Sequence, residues 1–285
     1  MEKDTFLEKL TVRAGARRLS EQKFQRLIRE FYSLHGRMFP WRKTKDSYKI
    51  FVSEVMLQQT QTERVVSKYE EFLTLFPSWS FLAEASLTEV LQAWEGLGYY
   101  RRARNLHRAA SVVVECHGGR TPGTLDALKS LPGVGNYTAA AISAFAFGEV
   151  VPMIETNIRA VYLHCFFAGR ERVSDSELLT LIERTCCRSN PRSWYYGLMD
   201  FGAVLKHRVR GIHLQSAHYK KQSTFEGSVR QIRAAVLKFI VNSNGTRLTA
   251  MRKNLPFDTE KIKQVVGQLL SEGFLKRDRG VYRVV

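Results

Sequence analysis

Hydrophobic side chains recur along most of the chain with the three-to-four-residue spacing of helices rather than the alternation of strands. Gly and Pro separate these segments, as at Pro77 and Pro122-Gly123. The pattern therefore predicts a mainly α protein. The helices predicted in its first 190 residues cover 21–34, 47–59, 62–76, 87–97, 100–116, 125–130, 137–147, 157–167 and 174–186.

A different pattern follows the polar and basic stretch 207–224. Three short helical segments (229–241, about 248–254 and 259–272) precede two short apolar stretches, 274–275 and 281–284, that flank a polar turn. Three helices and a terminal hairpin predict a winged-helix-like domain over residues 223–285. A small helical protein-interaction module is the alternative. Residues 1–20 are expected to be an N-terminal extension.

The composition is that of a soluble globular protein, with 285 residues, 44% of them hydrophobic and 25% charged. The longest nearly apolar run, 139–147, is too short to span a bilayer, and the first twenty residues do not resemble a secretion signal. A cytoplasmic protein with no membrane partner is therefore expected. The four cysteines form no CxxC pair, so they indicate neither a metal site nor a disulfide framework.

The charge balance is strongly basic, with 44 Lys and Arg against 27 Asp and Glu, a net charge of +17. The last 81 residues contain 17 basic and 5 acidic side chains, so most of the excess lies there. Such a field attracts polyanions, which makes nucleic acid the expected partner. A basic surface that serves only solubility is the alternative.

The segment Leu131-Pro132-Gly133-Val134-Gly135 directly precedes a predicted helix. Glycines permit a tight turn, and the N–H groups at a helix start can bind a phosphate. The segment therefore fits a hairpin that grips a DNA backbone. By itself it is weak evidence, because many ordinary helix-to-helix turns need glycine.

Three further motifs accompany this hairpin in order along the chain. They are Phe39-Pro40-Trp41-Arg42, the run Ser53-Glu54-Val55-Met56-Leu57-Gln58-Gln59-Thr60-Gln61, and the run Gly96-Leu97-Gly98-Tyr99-Tyr100-Arg101-Arg102-Ala103-Arg104-Asn105-Leu106. Together the four resemble the MutY-type adenine DNA glycosylases of the helix-hairpin-helix (HhH-GPD) superfamily, over about residues 31–203. The resemblance implies a two-lobed helical fold with an active-site cleft between the lobes. A six-helix barrel would cover about 47–148, and 21–46 plus 149–222 would form the second lobe.

The resemblance also implies an activity, that of a monofunctional DNA glycosylase. Such an enzyme flips a base out of duplex DNA and hydrolyses its N-glycosidic bond, leaving an abasic site. Mismatched adenine is the expected substrate. The alternatives are a mismatched or bulky modified pyrimidine, such as thymine or uracil opposite guanine or a modified phage cytosine removed in anti-phage defence. A non-catalytic winged-helix DNA-binding regulator is an alternative of another class.

Two carboxylates carry the implied chemistry. Glu54 matches the family's general acid, which protonates a purine ring nitrogen; the alternative for a Glu in this apolar run is an exposed helix face. Glu155 stands where the family usually has Asp, and it would stabilise the cationic sugar. Asn157 matches the family and would orient Glu155 or water. The alternative for Glu155 is a helix-start acid favoured by the helix dipole.

Other site residues follow from the same motifs. Tyr137 stands where strand-cleaving relatives carry lysine, and a phenol cannot form a Schiff base, so no AP lyase activity is expected. As a candidate catalytic residue Tyr137 would hydrogen-bond near the reacting sugar; an ordinary half-buried tyrosine with a satisfied hydroxyl is the alternative. Gln58 and Tyr99 match residues that enter the duplex beside the extruded nucleotide; packing between helices is the alternative for both. Contacts to DNA phosphates are expected from Arg101, Arg102, Arg104, Lys206, Gly133, Val134 and Gly135.

Two usual parts of the family have no counterpart here. Counting from the segment Leu198-Met199-Asp200-Phe201-Gly202-Ala203, the positions of the four cysteines that hold a [4Fe–4S] cluster are Lys206, His213, Ser216 and Gln222. The cluster is therefore predicted to be absent. No segment is long enough to form the family's C-terminal 8-oxoguanine-sensing domain, and the winged-helix-like segment stands in its place. A monomer is expected.

Overall fold

The computed structural model describes residues 19–219 and 224–285. The predicted N-terminal extension, residues 1–20, lies almost entirely outside the described residues. The helices are α1 (Glu21–His35), α2 (Ser47–Leu57), α3 (Thr62–Leu75), α4 (Trp79–Glu84), α5 (Leu87–Ala93), α6 (Arg101–His117), α7 (Leu125–Ser130), α8 (Asn136–Ile142), α9 (Thr156–Phe166), α10 (Asp175–Thr185), α11 (Pro191–Arg208), α12 (Val229–Asn242), α13 (Leu248–Asn254) and α14 (Thr259–Ser271). The strands are β1 (Thr246–Arg247), β2 (Leu275–Asp278) and β3 (Val281–Val284).

The predicted helical class is confirmed, and two helices and a strand are additional to the predicted elements. Helix α4 has only six residues, too few to show a period. Helix α11 buries side chains all round its axis and contains Gly197 and Gly202, so it shows no polar face. Strand β1 has two residues. None of these three elements has the repeating pattern that a sequence search detects.

The chain divides by its internal contacts into two compact units. Unit 1 contains the described residues up to Ser47, together with Gly123–Leu125 and 135–219. Unit 2 contains Tyr48–Pro122, Asp126–Val134 and residues 224–285. Residues 135–148, which the sequence analysis assigns to the barrel lobe, thus pack in unit 1.

Aromatic side chains form the core of unit 1. The Phe24 ring of α1 makes edge contacts with Tyr162 of α9 and Trp194 of α11, with ring centroids 5.2 and 5.6 Å apart. Gly197 permits α11 to approach α1, because a Cβ there would lie 3.0 Å from the Ile28 side chain. Burial of these rings supplies much of the apolar stabilisation of the unit.

A buried ion network ties two of the sequence motifs together in unit 1. Asp200 of α11 is 2% exposed, and its carboxylate accepts bonds from Arg42 at 2.7 and 2.9 Å. It also accepts bonds from the backbone N–H and Nε of Arg37, at 2.8 and 2.6 Å. The Arg42 guanidinium lies over the Tyr196 ring, 4.2 Å from its centroid. The motif 39–42 is thus anchored to α11 by charge-assisted hydrogen bonds.

Unit 2 has the largely apolar helix α2 in its interior. Eight of the eleven residues of α2 are buried. The nearby Trp79 donates from its indole N–H to Thr121 Oγ1 at 2.8 Å, and Tyr48 donates to the carbonyl of Phe76 at 2.5 Å. The polar ends of both aromatic side chains are therefore satisfied within the core.

The C-terminal segment folds as α12, β1, α13, α14, β2 and β3. Its three strands form an antiparallel sheet in the order β1-β3-β2, with Thr246 opposite Tyr282 and Leu275 opposite Val284. Three helices and a terminal hairpin joined to a short first strand are a winged-helix arrangement, as predicted. Among the described residues, no helix combines the length and the apolar character that crossing a membrane requires.

Candidate functional site

Glu54 lies inside unit 2, on α2. Its side chain is 5% exposed, between the buried residues Ser53 and Val55. The alternative of an exposed helix face is therefore excluded. A carboxyl group is rarely buried without a structural or chemical task, because desolvation of its charged form is costly.

Gln58 and Tyr99 line one groove of about 1280 Å³ in unit 2. Gln58 directly follows α2 and is half-buried, whereas Tyr99 is 39% exposed. Tyr99 and the neighbouring Gln59 have φ values of 47° and 56°, in the left-handed region that non-glycine residues rarely adopt. Such backbone conformations concentrate at functional sites, where the surrounding structure holds them.

The prediction that Arg102 contacts phosphate is wrong. The side chain is buried, and one terminal nitrogen donates to the carbonyls of Val55 and Met56 at 2.9 and 2.7 Å. The other donates to Thr60 Oγ1 at 2.8 Å and to the carbonyls of Leu97 and Gly98. Burial lowers the pKa of Arg102 to about 10. The guanidinium therefore joins the end of α2 to the loop before α6.

The neighbouring arginines contact the C-terminal domain. Arg101 forms an ion pair with Glu272 at 3.2 Å but is still 63% exposed. Arg104 donates to the carbonyl of Glu272 and lies 4.1 Å over the Phe274 ring; burial lowers its pKa. Arg233 of α12 forms two further bonds to the Glu272 carboxylate. Arg101 therefore retains an accessible charge, whereas Arg104 serves mainly in packing.

The predicted hairpin forms a turn closed by a hydrogen bond from the Val134 N–H to the Leu131 carbonyl. Gly133 has a φ of +79°, and a Cβ there would lie 2.7 Å from the Asn105 side chain. Val134 is buried, so any ligand would meet its backbone rather than its side chain. Gly135 has an ordinary φ and open space around it. Tyr137 is half-buried in the first turn of α8.

Glu155 caps the N-terminus of α9 in unit 1. Its Oε1 accepts bonds from the N–H groups of Asn157 and Ile158, both at 2.8 Å, and Oε2 accepts one from Asn157 Nδ2 at 3.2 Å. This is the helix-start arrangement of the alternative hypothesis. Two of the carboxylate's roughly four acceptor positions are occupied at Oε1 and one at Oε2. At the second position on Oε2, the described part of the chain supplies no donor.

The positive charge of Lys206 acts on the Glu155 carboxylate. Lys206 Nζ donates to Asn157 Oδ1 at 3.0 Å, so Lys206 of α11 contacts the residue that bonds Glu155. Burial raises the pKa of Glu155, while the two N–H groups and the charges of Lys206 and Arg159 oppose that rise. Lys206 is exposed, and its contact with DNA phosphate stays a prediction; its contact with Asn157 was not foreseen.

Close backbone contact sets the position of Asn157. A Cβ at Gly202 of α11 would lie 2.2 Å from the Asn157 carbonyl oxygen, so only glycine permits this approach of α11 to α9. The segment 198–203 thus has two contacts: Gly202 packs against Asn157, and Asp200 bonds Arg42. The spacing in the sequence could have suggested a close helix contact at this glycine, but not its partner.

The positions expected for cluster ligands offer no thiolate. Lys206 bonds Asn157, the His213 ring lies 4.5 Å from the Tyr219 ring, and Gln222 lies outside the described residues. Ser216 forms a parallel bridge with Val173, beside backbone bonds from Val173 to Gln215 and from Ala217 to Val173. This donor set does not fit an iron–sulfur cluster. The absence of the cluster stays a prediction.

The structure brings the predicted residues into two groups. Gln58, Tyr99 and Arg101 line the groove of unit 2, where Glu54 lies on the helix that ends at the groove. Glu155, Asn157 and Lys206 form a hydrogen-bonded chain in unit 1. The sequence analysis missed Phe225 and Arg230, which line the same groove from the C-terminal domain.

A known protein family matches the part of the chain that contains most of these residues. Residues 52–185 match the family described as "HhH-GPD superfamily base excision DNA repair protein". Residues 52–185 are therefore similar to the HhH-GPD domain of that family. The match includes Glu54, the groove residues between Gln58 and Asn105, the hairpin and Glu155, and it ends before the C-terminal domain.

Two curated relatives of this chain are named adenine DNA glycosylase, which confirms the resemblance to the MutY-type branch. The protein from Mycobacterium tuberculosis (strain CDC 1551 / Oshkosh) is 40% identical over 182 residues, 61% of this chain and 59% of that protein. The protein from Rattus norvegicus is 37% identical over 194 residues, 64% of this chain and 38% of that protein. The chain thus spans less than two thirds of the length of either relative.

A solved structure shows the same fold over a larger share of its length. A thermostable thymine-DNA glycosylase is 29% identical, with a TM-score of 0.60, and covers 70% of this chain and 96% of its own. Together with the mainly helical elements, this similarity confirms the predicted helix-hairpin-helix glycosylase fold.

Proposed function

We propose that this protein is a DNA glycosylase that releases mismatched adenine from duplex DNA. The observation that carries the proposal is the buried carboxyl group of Glu54, on a helix that ends at a groove lined by Gln58 and Tyr99. Adenine is favoured because two relatives that match over more than 180 residues are named adenine DNA glycosylases.

The first chemical task is protonation of the leaving base. Glu54 in its acid form gives a proton to a ring nitrogen of the extruded purine, and the C1′–N bond breaks with its electron pair leaving on the base. The base departs neutral, Glu54 becomes a carboxylate, and the sugar carries positive charge at C1′.

The second task is stabilisation of the sugar cation. Glu155 is held by the start of α9 and has one acceptor position open on Oε2. In its ionised form it opposes the positive charge on the sugar and accepts a proton from the attacking water, while the water oxygen bonds to C1′. The product is an abasic site.

Strand cleavage is not part of the proposed reaction. Tyr137 stands at the position after the hairpin where strand-cleaving relatives carry lysine, and a phenol cannot form the Schiff base that β-elimination requires. Alkali is therefore expected to be necessary before abasic sites become strand breaks.

The test is base release from labelled duplexes with adenine opposite guanine or 8-oxoguanine, followed by alkali. We expect Glu54→Gln to slow release by about 10²- to 10⁴-fold while DNA binding is retained. Glu63→Gln, which changes an exposed carboxylate of α3, is the matched control. A near-normal rate for Glu54→Gln removes it as the acid, and binding without release from any duplex supports a regulator.

A second candidate substrate is a mismatched pyrimidine. The observation that favours it is the similarity to a thymine-DNA glycosylase over 96% of that chain, together with Glu155 in place of the usual Asp. Duplexes with thymine or uracil opposite guanine, and with a bulky modified cytosine, belong in the same assay. Faster release from one of these than from adenine assigns the pyrimidine substrate.

Three further proposals concern the partner, the oligomeric state and the cofactor. The net charge of +17 supports DNA as the partner, and the lack of cysteine at positions 206, 213, 216 and 222 supports a protein without a cluster. The protein acts on duplex DNA as a cytoplasmic monomer without an iron–sulfur cluster. Iron determination and the visible spectrum of the purified protein test the cofactor. Sedimentation with and without duplex DNA tests the monomer.

A further inference from the structure

One wall of the groove in unit 2 comes from the C-terminal domain, outside the family match. Phe225, Arg230, Arg233, Ala234, Ala235 and Lys238 line the groove opposite the segments 58–61 and 96–102. The Arg230 guanidinium donates to the Tyr99 hydroxyl at 3.1 Å. Helix α12 therefore contacts a residue that is expected to enter the duplex.

Charged residues of the two walls pair with each other, and most of them also line the groove. Lys238 of α12 pairs with Glu95 at 2.5 Å, and Arg101 and Arg233 both pair with Glu272. Arg104 lies over the Phe274 ring, with the charge 4.1 Å from the centroid. The C-terminal domain thus contacts the segments around α5 and α6 beside the groove, through these charged pairs and the packing of Arg104 on Phe274.

The chemistry of the lining suits a nucleic acid strand. Six cationic side chains besides the buried Arg102 line the groove, and one lining side chain, Glu95, is anionic. Two exposed aromatic rings accompany them, Tyr99 at 39% and Phe225 at 58% exposure. Cations along a groove bind phosphates, and exposed rings stack on bases that have lost their partners.

The volume agrees with this occupant. A groove of about 1280 Å³ exceeds the usual size of a small-molecule pocket and is open enough for a short stretch of strand. The left-handed backbone at Gln59 and Tyr99 holds both residues on the groove wall at a conformational cost. Binding of an extended ligand to both walls would give these two strained backbone positions a function.

We infer that α12 and Phe225 complete a DNA-strand groove in which Phe225 stacks on an unpaired base and Arg230 binds a neighbouring phosphate. The inference deepens the proposed function and rests on it for the choice of DNA. It assigns the C-terminal domain a direct part in distinguishing DNA with an unpaired base from fully paired DNA.

The experiment measures Kd of the 285-residue protein for two duplexes from which it cannot release a base. One carries a stable abasic-site analogue opposite a normal base, and the other is fully paired and has no target base. We expect the native protein to prefer the first. We expect Phe225→Ala to bind the first duplex about tenfold more weakly and to lose most of the preference, with Phe225→Tyr restoring it.

Arg230→Ala is expected to weaken binding to both duplexes and to reduce the dependence on salt by about one phosphate contact, with Arg230→Lys retaining most of the affinity. Arg252→Ala is the matched control, because Arg252 is an exposed cation of α13 that does not line the groove. Thermal unfolding of each variant verifies that the fold is intact.

Two outcomes would overturn the inference. An unchanged preference in Phe225→Ala shows that no base stacks there, and tighter binding by Arg230→Ala shows that α12 blocks the groove instead of forming it. Because both duplexes lack a cleavable target, these results do not depend on base release. Failure of the proposed chemistry is therefore distinguishable from failure of this groove.

Discussion

Lys206 is the residue through which the electrostatics of Glu155 can be tested. Its ammonium group bonds Asn157, and its charge lowers the pKa of Glu155 against the rise that burial causes. In the proposed reaction Glu155 acts as a carboxylate, so activity falls as the pH drops through its pKa. Loss of the Lys206 charge should move that fall to higher pH.

The expected result for Lys206→Ala is therefore a shift of the acid limb of the pH–rate profile upward by about one unit or less. Lys206→Arg retains the charge and should leave the limb near its native position. Single-turnover rates at saturating DNA make the comparison, since they separate the chemical step from phosphate contacts. Equal shifts in both variants, or none in Lys206→Ala, would contradict this role.

Arg101 and Arg102 illustrate how differently two adjacent, chemically identical residues are used. Arg101 is 63% exposed and lines the groove, whereas Arg102 donates to five oxygen atoms of the protein interior. Their positions on α6 explain the difference in exposure. Successive side chains of a helix point about 100° apart, so Arg101 faces solvent while Arg102 faces the core.

At the scale of elements, the contact between the turn 40–42 and α11 depends on one carboxylate. Asp200 accepts bonds from Arg37 and Arg42, and the Arg42 side chain is 6% exposed. Removing the carboxylate leaves a buried cation without its counter-charge, and such losses are strongly destabilising. The interaction joins residues 158 positions apart in the chain.

We expect Asp200→Ala to lower the free energy of unfolding by about 3 to 5 kcal/mol, measured by urea denaturation at neutral pH. Glu30→Ala is the control, since its pair with Arg26 is exposed and should contribute less than about 1 kcal/mol. Equal losses in the two variants would show that the buried network contributes no more than a surface ion pair.

At the scale of the whole molecule, the charge of +17 determines how DNA binding responds to salt. Each phosphate that the protein neutralises releases counterions, so affinity falls steeply as the salt concentration rises. We expect Kd for a duplex without a releasable base to rise by about a thousandfold between 50 and 200 mM salt. A nearly flat dependence would show that the basic residues serve solubility.

The fold class and the candidate residues were largely accessible from the sequence. Periodicity predicts most of the helices to within a few residues, since a helix with one apolar face shows its 3.6-residue repeat locally. Helix α11 was missed because it is buried on all sides and shows no such repeat. The order of four short motifs indicates the HhH-GPD superfamily.

The partners of individual side chains depended on the tertiary structure. Sequence alone determined the helical class, the net charge, the missing cysteines and the tyrosine at the hairpin, because these are properties of residue identity and local spacing. Only the folded chain decided that Glu54 is buried, that Lys206 bonds Asn157, and that α12 forms a wall of the groove. Burial and pairing arise between segments far apart in the chain, and no local pattern encodes which distant group will lie opposite.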